Sequence, residues 1–280
     1  IIKKQMSEKI LTVGLKSKII TPGDSVMEVV KSLLKNEPLQ EKDILVITSK
    51  IVAVEQNRIQ KIGNEDDFKK LISQEADENL GGDPVILTKK NNIFIPWAGI
   101  DRSNIPKGEV VLWPEKPYEV AYQYWRDLTE AYKIKELGIV ISDSICSPLR
   151  KGVGAIALGY AGFKGVNDLR GEKDLFGNEL KVSQQNIADM TATAAHLVMG
   201  EAAESTPFAI VRGVNAQFTS EPPDPQESTI SQNDCLFAPL YKSHGLTTRK
   251  PHNGRNALLL CLQKIHPQNQ GTQSLISPVQ

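Results

Sequence analysis

Cysteine, histidine and long apolar runs are all scarce in this chain of 280 residues, and each shortage removes a class of function. The three cysteines, Cys146, Cys235 and Cys261, are far apart and form no C-x-x-C pair. Such spacing suggests neither a disulfide framework nor a zinc knuckle, and a reduced, cytoplasmic compartment fits it best. Of the four histidines only His196 lies in the main body; His244, His252 and His266 crowd toward the C-terminus. A Ser-His-Asp or Cys-His catalyst needs its base on a packed scaffold, so that chemistry is disfavoured. No apolar run approaches the roughly 20 residues that a membrane span needs. The opening Ile1-Ile2-Lys3-Lys4 does not lead into a signal-peptide core, and the missing Met suggests a fragment. Lys plus Arg and Asp plus Glu both number 33, so no net charge draws the protein to nucleic acid or a membrane. No G-x-x-x-x-G-K-[ST] phosphate loop occurs.

Hydrophobic periodicity predicts strands at Leu11 to Leu15, Asp43 to Thr48, Leu137 to Ile141, Ala155 to Leu158 and Phe208 to Val211. It predicts helices over Ser25 to Leu34, Asp66 to Asn79, Tyr118 to Tyr132 and Ile187 to Met199. In the last of these, Ile187, Met190, Ala194, Leu197 and Val198 are expected to form the buried face, and Gly200 the stop. Pro84 to Ile95 reads as a hairpin turning at Lys89 to Asn92. No acidic residue follows Asp234, and the basic, Gln/Asn-rich segment 242–280 is expected to be a disordered tail; its Leu258-Leu259-Leu260 patch could form a short helix.

What the chain does have is Ser142-Asp143-Ser144 at the end of an apolar run. Hard oxygen ligands are thereby expected at the carboxyl edge of a sheet, where α/β proteins bind ligands and where Mg²⁺ or Mn²⁺ is favoured over zinc. Arg150 and the glycines Gly152, Gly154, Gly159, Gly162 and Gly165 could receive phosphate oxygens. Each candidate has a plainer reading. Asp143 and Ser144 could cap a helix, and Asp101 with Asn104 could form an Asx-turn. Lys50, beside Ser49 at a strand exit, could be merely solvated. His196 is expected to be structural, and Cys146 is a weak nucleophile candidate without a histidine pattern. Trp97 could stack a flat ring, although a buried Trp is the more ordinary role. Gly152-Val153-Gly154-Ala155-Ile156-Ala157 matches a dinucleotide fingerprint in letters but lacks its strand-to-helix context.

Taken in order, Thr48-Ser49-Lys50-Ile51-Val52, Ala98-Gly99-Ile100-Asp101-Arg102-Ser103-Asn104, Ser142-Asp143-Ser144, Pro148-Leu149-Arg150-Lys151-Gly152, Asp168-Leu169-Arg170-Gly171, Asp174-Leu175-Phe176-Gly177, Ala188-Asp189 and Val198-Met199-Gly200-Glu201 form one set. That set resembles the coenzyme F420-0:L-glutamate ligase family over about Leu11 to Tyr241. Leu112-Trp113-Pro114 and Ser147-Pro148-Leu149-Arg150 look more like the bacterial branch linked to folate metabolism. The resemblance implies a two-lobed α+β fold over 1–241, a homodimer, and γ-linked addition of L-glutamate to a carboxylate acceptor, a deazaflavin precursor or a folate-type pterin. It also implies GTP or ATP as co-substrate, two divalent cations (Mg²⁺ or Mn²⁺) and K⁺ as an accessory ion. By matching motif, Asp101 and Asp143 would hold the first metal, and Ser144 and Glu201 the second. Lys18, Ile19, Ile20, Ser49, Lys50 and Asn104 would meet the nucleotide, bordered by Met199, Gly200 and Glu201.

Two departures stand out. The deazaflavin enzymes read Gly-Arg-Pro-Trp-Arg where this chain has Cys146-Ser147-Pro148-Leu149-Arg150, and they carry a Lys at the position of Val54. The expected mechanism is phosphoryl transfer to the acceptor carboxylate, with Asp143 and Arg150 as catalytic residues, followed by attack of the glutamate amine. A catalytically silent ligand-binding homologue and a two-metal phosphohydrolase are the alternatives.

Overall fold

Two apolar runs, Ile44–Thr48 (β2) and the first half of Gly138–Cys146 (β8), form the parallel centre of the main sheet. The structure is a computed structural model that describes residues 9–243. Leu11–Leu15 (β1), Phe208–Arg212 (β12), β2, β8 and Val153–Ala161 (β9) lie side by side in that order, and every pairing except β2 with β8 is antiparallel. Helices cover both faces of the parallel pair, which explains why its strands read as unbroken apolar runs instead of alternating ones. Leu45, Ile47, Ile139 and Ile141 pack with Val26–Leu33 (α1) and Pro117–Tyr132 (α4) through Val30, Trp125 and Leu128. Ile44, Val46 and Val140 face Ile187–Met199 (α5) through Ala188, Ala192 and Ala195. Helices with mixed and antiparallel sheets make the fold α+β, as expected.

β8 outlasts its parallel partner. Thr48 is paired with Ser142, after which the chain turns directly into Ser49–Glu55 (α2). β8 runs on through Asp143 and Ser144 to Cys146 against β9 alone. The strand end expected at Ile141 is corrected on this point, because β9 extends to Val153 and supplies partners throughout. The register shifts between Ile141 and Ser142, leaving Leu158 as an extra residue in β9. Nearby, the Ala157 N–H donates instead to Asp189 Oδ1 (2.9 Å) in the first turn of α5. Asn186 caps the same turn by accepting from the Asp189 N–H at 3.0 Å.

α5 has the expected bounds but not the expected face. Of the expected face Ile187 is buried, but its companions in the core are Ala188, Thr191, Ala192 and Ala195, whereas Met190 and Leu197 are 58% and 85% exposed. Small side chains let the helix sit close on the sheet; the larger apolar ones on its other side do not enter the core. The helix expected to reach Asn79 stops earlier, at Glu65–Glu75 (α3), because Glu78–Gly81 (β4) pairs with Leu87–Lys90 (β5).

The described chain divides into two compact units, 9–69 with 99–230 and 70–98 with 231–243. The first also contains the paired strands Ile59–Lys61 (β3) and Glu109–Val111 (β7), and Val166–Asp168 (β10) with Gln184–Asn186 (β11). In the second, β4, β5 and Ile93–Pro96 (β6) form an antiparallel sheet, followed in the chain by Ala238–Ser243 (α6). Asn91 and Asn92, both at positive φ, make the expected tight turn between β5 and β6. Nearly all of the proposed tail, with its three histidines, Cys261 and the Leu258-Leu259-Leu260 patch, lies outside the described residues. Among the described residues no helix is long and apolar enough to cross a membrane.

Candidate active site

The carboxyl ends of β2 and β8 open onto a cavity of about 720 Å³ in the first unit. Lys18, Ile19, Ile20, Lys50, Asp101, Asn104, Asp143, Ser144, Met199, Gly200 and Glu201 all line it. Of the site residues expected from the sequence, only Ser49 and Arg150 do not. Ser49 is buried at the start of α2, and Arg150 is exposed on the turn between β8 and β9. None of the five glycines expected to receive phosphate lines the cavity either, and a Cβ on Gly159 or Gly162 would strike the Pro117 or Leu137 backbone, so these two serve packing.

Asp101 is fixed by its backbone before its side chain is considered. Its N–H and C=O both bond Val111 at 2.9 Å, which ties it to the end of β7. The carboxylate accepts from the Ser103 N–H (2.7 Å), the Asx-turn that sequence allowed, and from the Lys50 ammonium at 2.6 Å. Lys50 also donates to the Ser103 carbonyl (2.9 Å) and hydroxyl (3.0 Å). Burial would raise the Asp101 carboxyl, but Lys50 and Ser103 outweigh it and hold the group below the ordinary carboxylate range.

Asp143 meets the opposite balance. Burial pushes its carboxyl up to about 6, against hydrogen bonds from the Trp113 indole N–H and the Ser144 N–H, and the nearby Asp101 charge adds to the rise. The pair is thus two carboxylates with one resident cation, the Lys50 ammonium. The rim is closed by loops. Asn104, in a left-handed conformation, donates to the Ala202 carbonyl at 2.7 Å. The Ser17 N–H donates to the Ser205 carbonyl at 3.0 Å. Lys18 pairs with Asp24 at 2.5 Å, and Asp24 also accepts from the Thr21 N–H at 2.8 Å.

His196, expected to be structural, lines the cavity, and its Nε2 meets Glu201 Oε1. Helical spacing would not have singled out this contact, because Glu201 lies past the Gly200 helix stop. Glu109, Val54, Ile105 and Val111 were also missed as cavity residues; the last three contribute to its apolar part.

Among the described residues no three Asp, Glu, His or Cys side chains converge into a metal-holding group. Asp101, Asp143 and the Ser144 hydroxyl nonetheless offer hard oxygens and a surplus of negative charge, which fit a divalent cation such as Mg²⁺ or Mn²⁺. Glu201 is engaged by His196 instead of joining them.

The family model described as F420-0:Gamma-glutamyl ligase matches residues 14–213, a span that contains every residue lining the cavity. The chain belongs to that family. It is therefore a ligase of the γ-glutamyl type. It is 33% identical over 228 residues to a coenzyme F420:L-glutamate ligase of Methanocaldococcus jannaschii, covering 75% of this chain and 90% of the relative. A ligase of the same name from Archaeoglobus fulgidus is 32% identical over 215 residues, 70% of this chain and 84% of the relative. The Haloarcula marismortui one is 34% identical over 217 residues, 69% and 82% of the respective chains.

Proposed function

We propose that this γ-glutamyl ligase joins L-glutamate to a carboxylate-bearing acceptor at the expense of a nucleoside triphosphate, GTP or ATP. The carrying observation is one cavity that holds the Asp101–Lys50 pair, the raised Asp143 and an apolar compartment around Val54, Ile105 and Val111. The apolar compartment suits a flat ring, either a nucleobase or the ring of a deazaflavin or folate-type acceptor. Lys18, Ile19, Ile20 and Asn104 border the nucleotide.

Amide formation from a free carboxylate is uphill in water, so the acid is activated first. An acceptor carboxylate oxygen attacks the γ-phosphorus; the new O–P bond replaces the bond to the β-phosphate oxygen, and nucleoside diphosphate leaves. The glutamate nitrogen then attacks the acyl carbon. A C–N bond forms, phosphate departs with the electron pair of the broken C–O bond, and the amine gives up a proton. Positioning and charge neutralisation carry most of such a transfer. Lys50 lies at the acids and is the cation this chain itself offers to phosphate oxygens, a part that exposed Arg150 is not placed to take. Asp101, Asp143 and Ser144 would hold a divalent cation, and Glu201 a second after releasing His196; bound there, the ions would supply further neutralisation of phosphate charge. K⁺ as an accessory ion, a homodimer and a cytoplasmic location complete the proposal.

Labelled glutamate incubated with protein, Mg²⁺ or Mn²⁺, GTP or ATP and each acceptor should give product heavier by one glutamyl unit, with release of the matching diphosphate. Phosphate release without glutamate would replace this reading with a phosphohydrolase. Nucleotide binding with no turnover for any acceptor would replace it with the silent homologue, which the Glu201–His196 contact favours.

A further inference from the structure

One short segment sets both acids. β7 ends at Val111, whose backbone brackets Asp101, and two residues on the Trp113 indole N–H donates to Asp143 Oδ2. Trp113 is itself held firmly. It is 2% exposed, its carbonyl accepts from Arg58 Nε at 3.3 Å, and its indole packs against Gly99, two residues before Asp101. The indole thus stands between the two acid-bearing segments and touches both. Oδ1 of Asp143 accepts from the Ser144 N–H at 2.9 Å, so each carboxylate oxygen receives one donor and keeps lone-pair capacity directed elsewhere.

We propose that Trp113 is a positioning residue: its indole N–H locks the Asp143 carboxylate in the orientation that takes a divalent cation, and its ring sets the spacing of Asp143 from the Asp101 loop. The proposal rests on the cation reading of the site given above. Groups that hold a ligating side chain from behind commonly change metal affinity by roughly 10–100-fold when removed. A tryptophan serving only as core would change stability and leave affinity alone.

Trp125 provides the matched control. It is buried in α4, and its indole N–H also donates, to the Leu137 carbonyl at 2.9 Å, with no contact to either acid. Direct Mn²⁺ titration, following free Mn²⁺ by electron paramagnetic resonance, should show Trp113→Phe binding roughly 10–100-fold more weakly than wild type. Trp125→Phe should bind as wild type does, although both variants melt earlier. Equal Mn²⁺ affinity in wild type and Trp113→Phe overturns the proposal and leaves the cation reading standing; no Mn²⁺ binding by wild type and by Asp143→Asn alike overturns the cation reading itself. A second measurement needs no destabilised variant. In the ¹⁵N-labelled wild-type chain, Mg²⁺ titration should shift the Trp113 indole N–H resonance with the midpoint of binding and leave that of Trp125 in place. A Trp113 resonance indifferent to bound Mg²⁺ refutes the locking role.

Discussion

Gly99→Ala is the substitution that most directly stresses the wall shared by Asp101 and Asp143. Gly99 has φ +73°, and a Cβ built there would lie well under 3.0 Å from the five-membered edge of the Trp113 indole. Two costs add. Holding an L-residue in the left-handed region costs about 1–2 kcal/mol, and forcing a methyl into a packed wall costs about 1–3 kcal/mol. The sum, about 2–5 kcal/mol, corresponds to a fall in Tm of roughly 4–20 °C for a domain of this size. Gly171→Ala separates the two terms, because Gly171 has φ +88° but nothing within 4 Å of the added carbon. It should lose only the backbone term, about 1–2 kcal/mol. Thermal unfolding followed by circular dichroism gives both numbers. The added methyl also presses on the indole that holds Asp143, so Mn²⁺ affinity should fall in Gly99→Ala and not in Gly171→Ala. If both variants melt together, Trp113 is free to move, and the packing argument fails.

Other sites yield sharper contrasts with simpler measurements. Asp43 is almost fully buried before β2 and accepts from Arg212 Nε at 3.0 Å, while Arg212 also reaches Glu37 at 2.6 Å. Arg212→Met should cost about 3–5 kcal/mol by stranding Asp43, and adding Asp43→Asn should recover part of that loss in urea unfolding. On α5, Leu197→Ser should shift stability by less than about 0.5 kcal/mol, because the side chain is 85% exposed. Ala192→Leu on the buried face should cost about 1–3 kcal/mol; the reverse order would mean that the helix presents its other face to the sheet. The Asp24 carboxyl is held down at about 2 by Lys18 and by the Thr21 N–H and hydroxyl. A depressed carboxyl stabilises above its unfolded value and loses that contribution as pH falls through its folded one. The Thr21 amide resonance should stay constant from neutral pH to near pH 4 and then move with a midpoint at about pH 2. In Asp24→Asn that transition should vanish.

Much of this architecture was legible where a local rule decided it. Gly200 at the stop bounds α5 without reference to anything else, and the unbroken apolar run of β2 announces a strand. Legibility failed where a distant partner decided. β8 continues past Ile141 because β9 is there to pair with it. α3 gives way to β4 because β5 competes for the chain. The buried face of α5 follows from how close the helix sits to the sheet, a distance that its own periodicity does not contain. The same division holds at the site. Most of the site residues expected from sequence line one cavity, but the hold of Trp113 on Asp143, across 30 positions of sequence, and the His196–Glu201 contact required the folded chain.

β8 is gripped from both sides only as far as Ser142, and its last stretch hangs from β9 like a shelf bracketed along one edge. The acid in the middle of that shelf owes its steadiness to Trp113, which ties it across to the segment that carries Asp101. A single indole thus braces the side that no strand covers, and the space beyond it stays open for a guest.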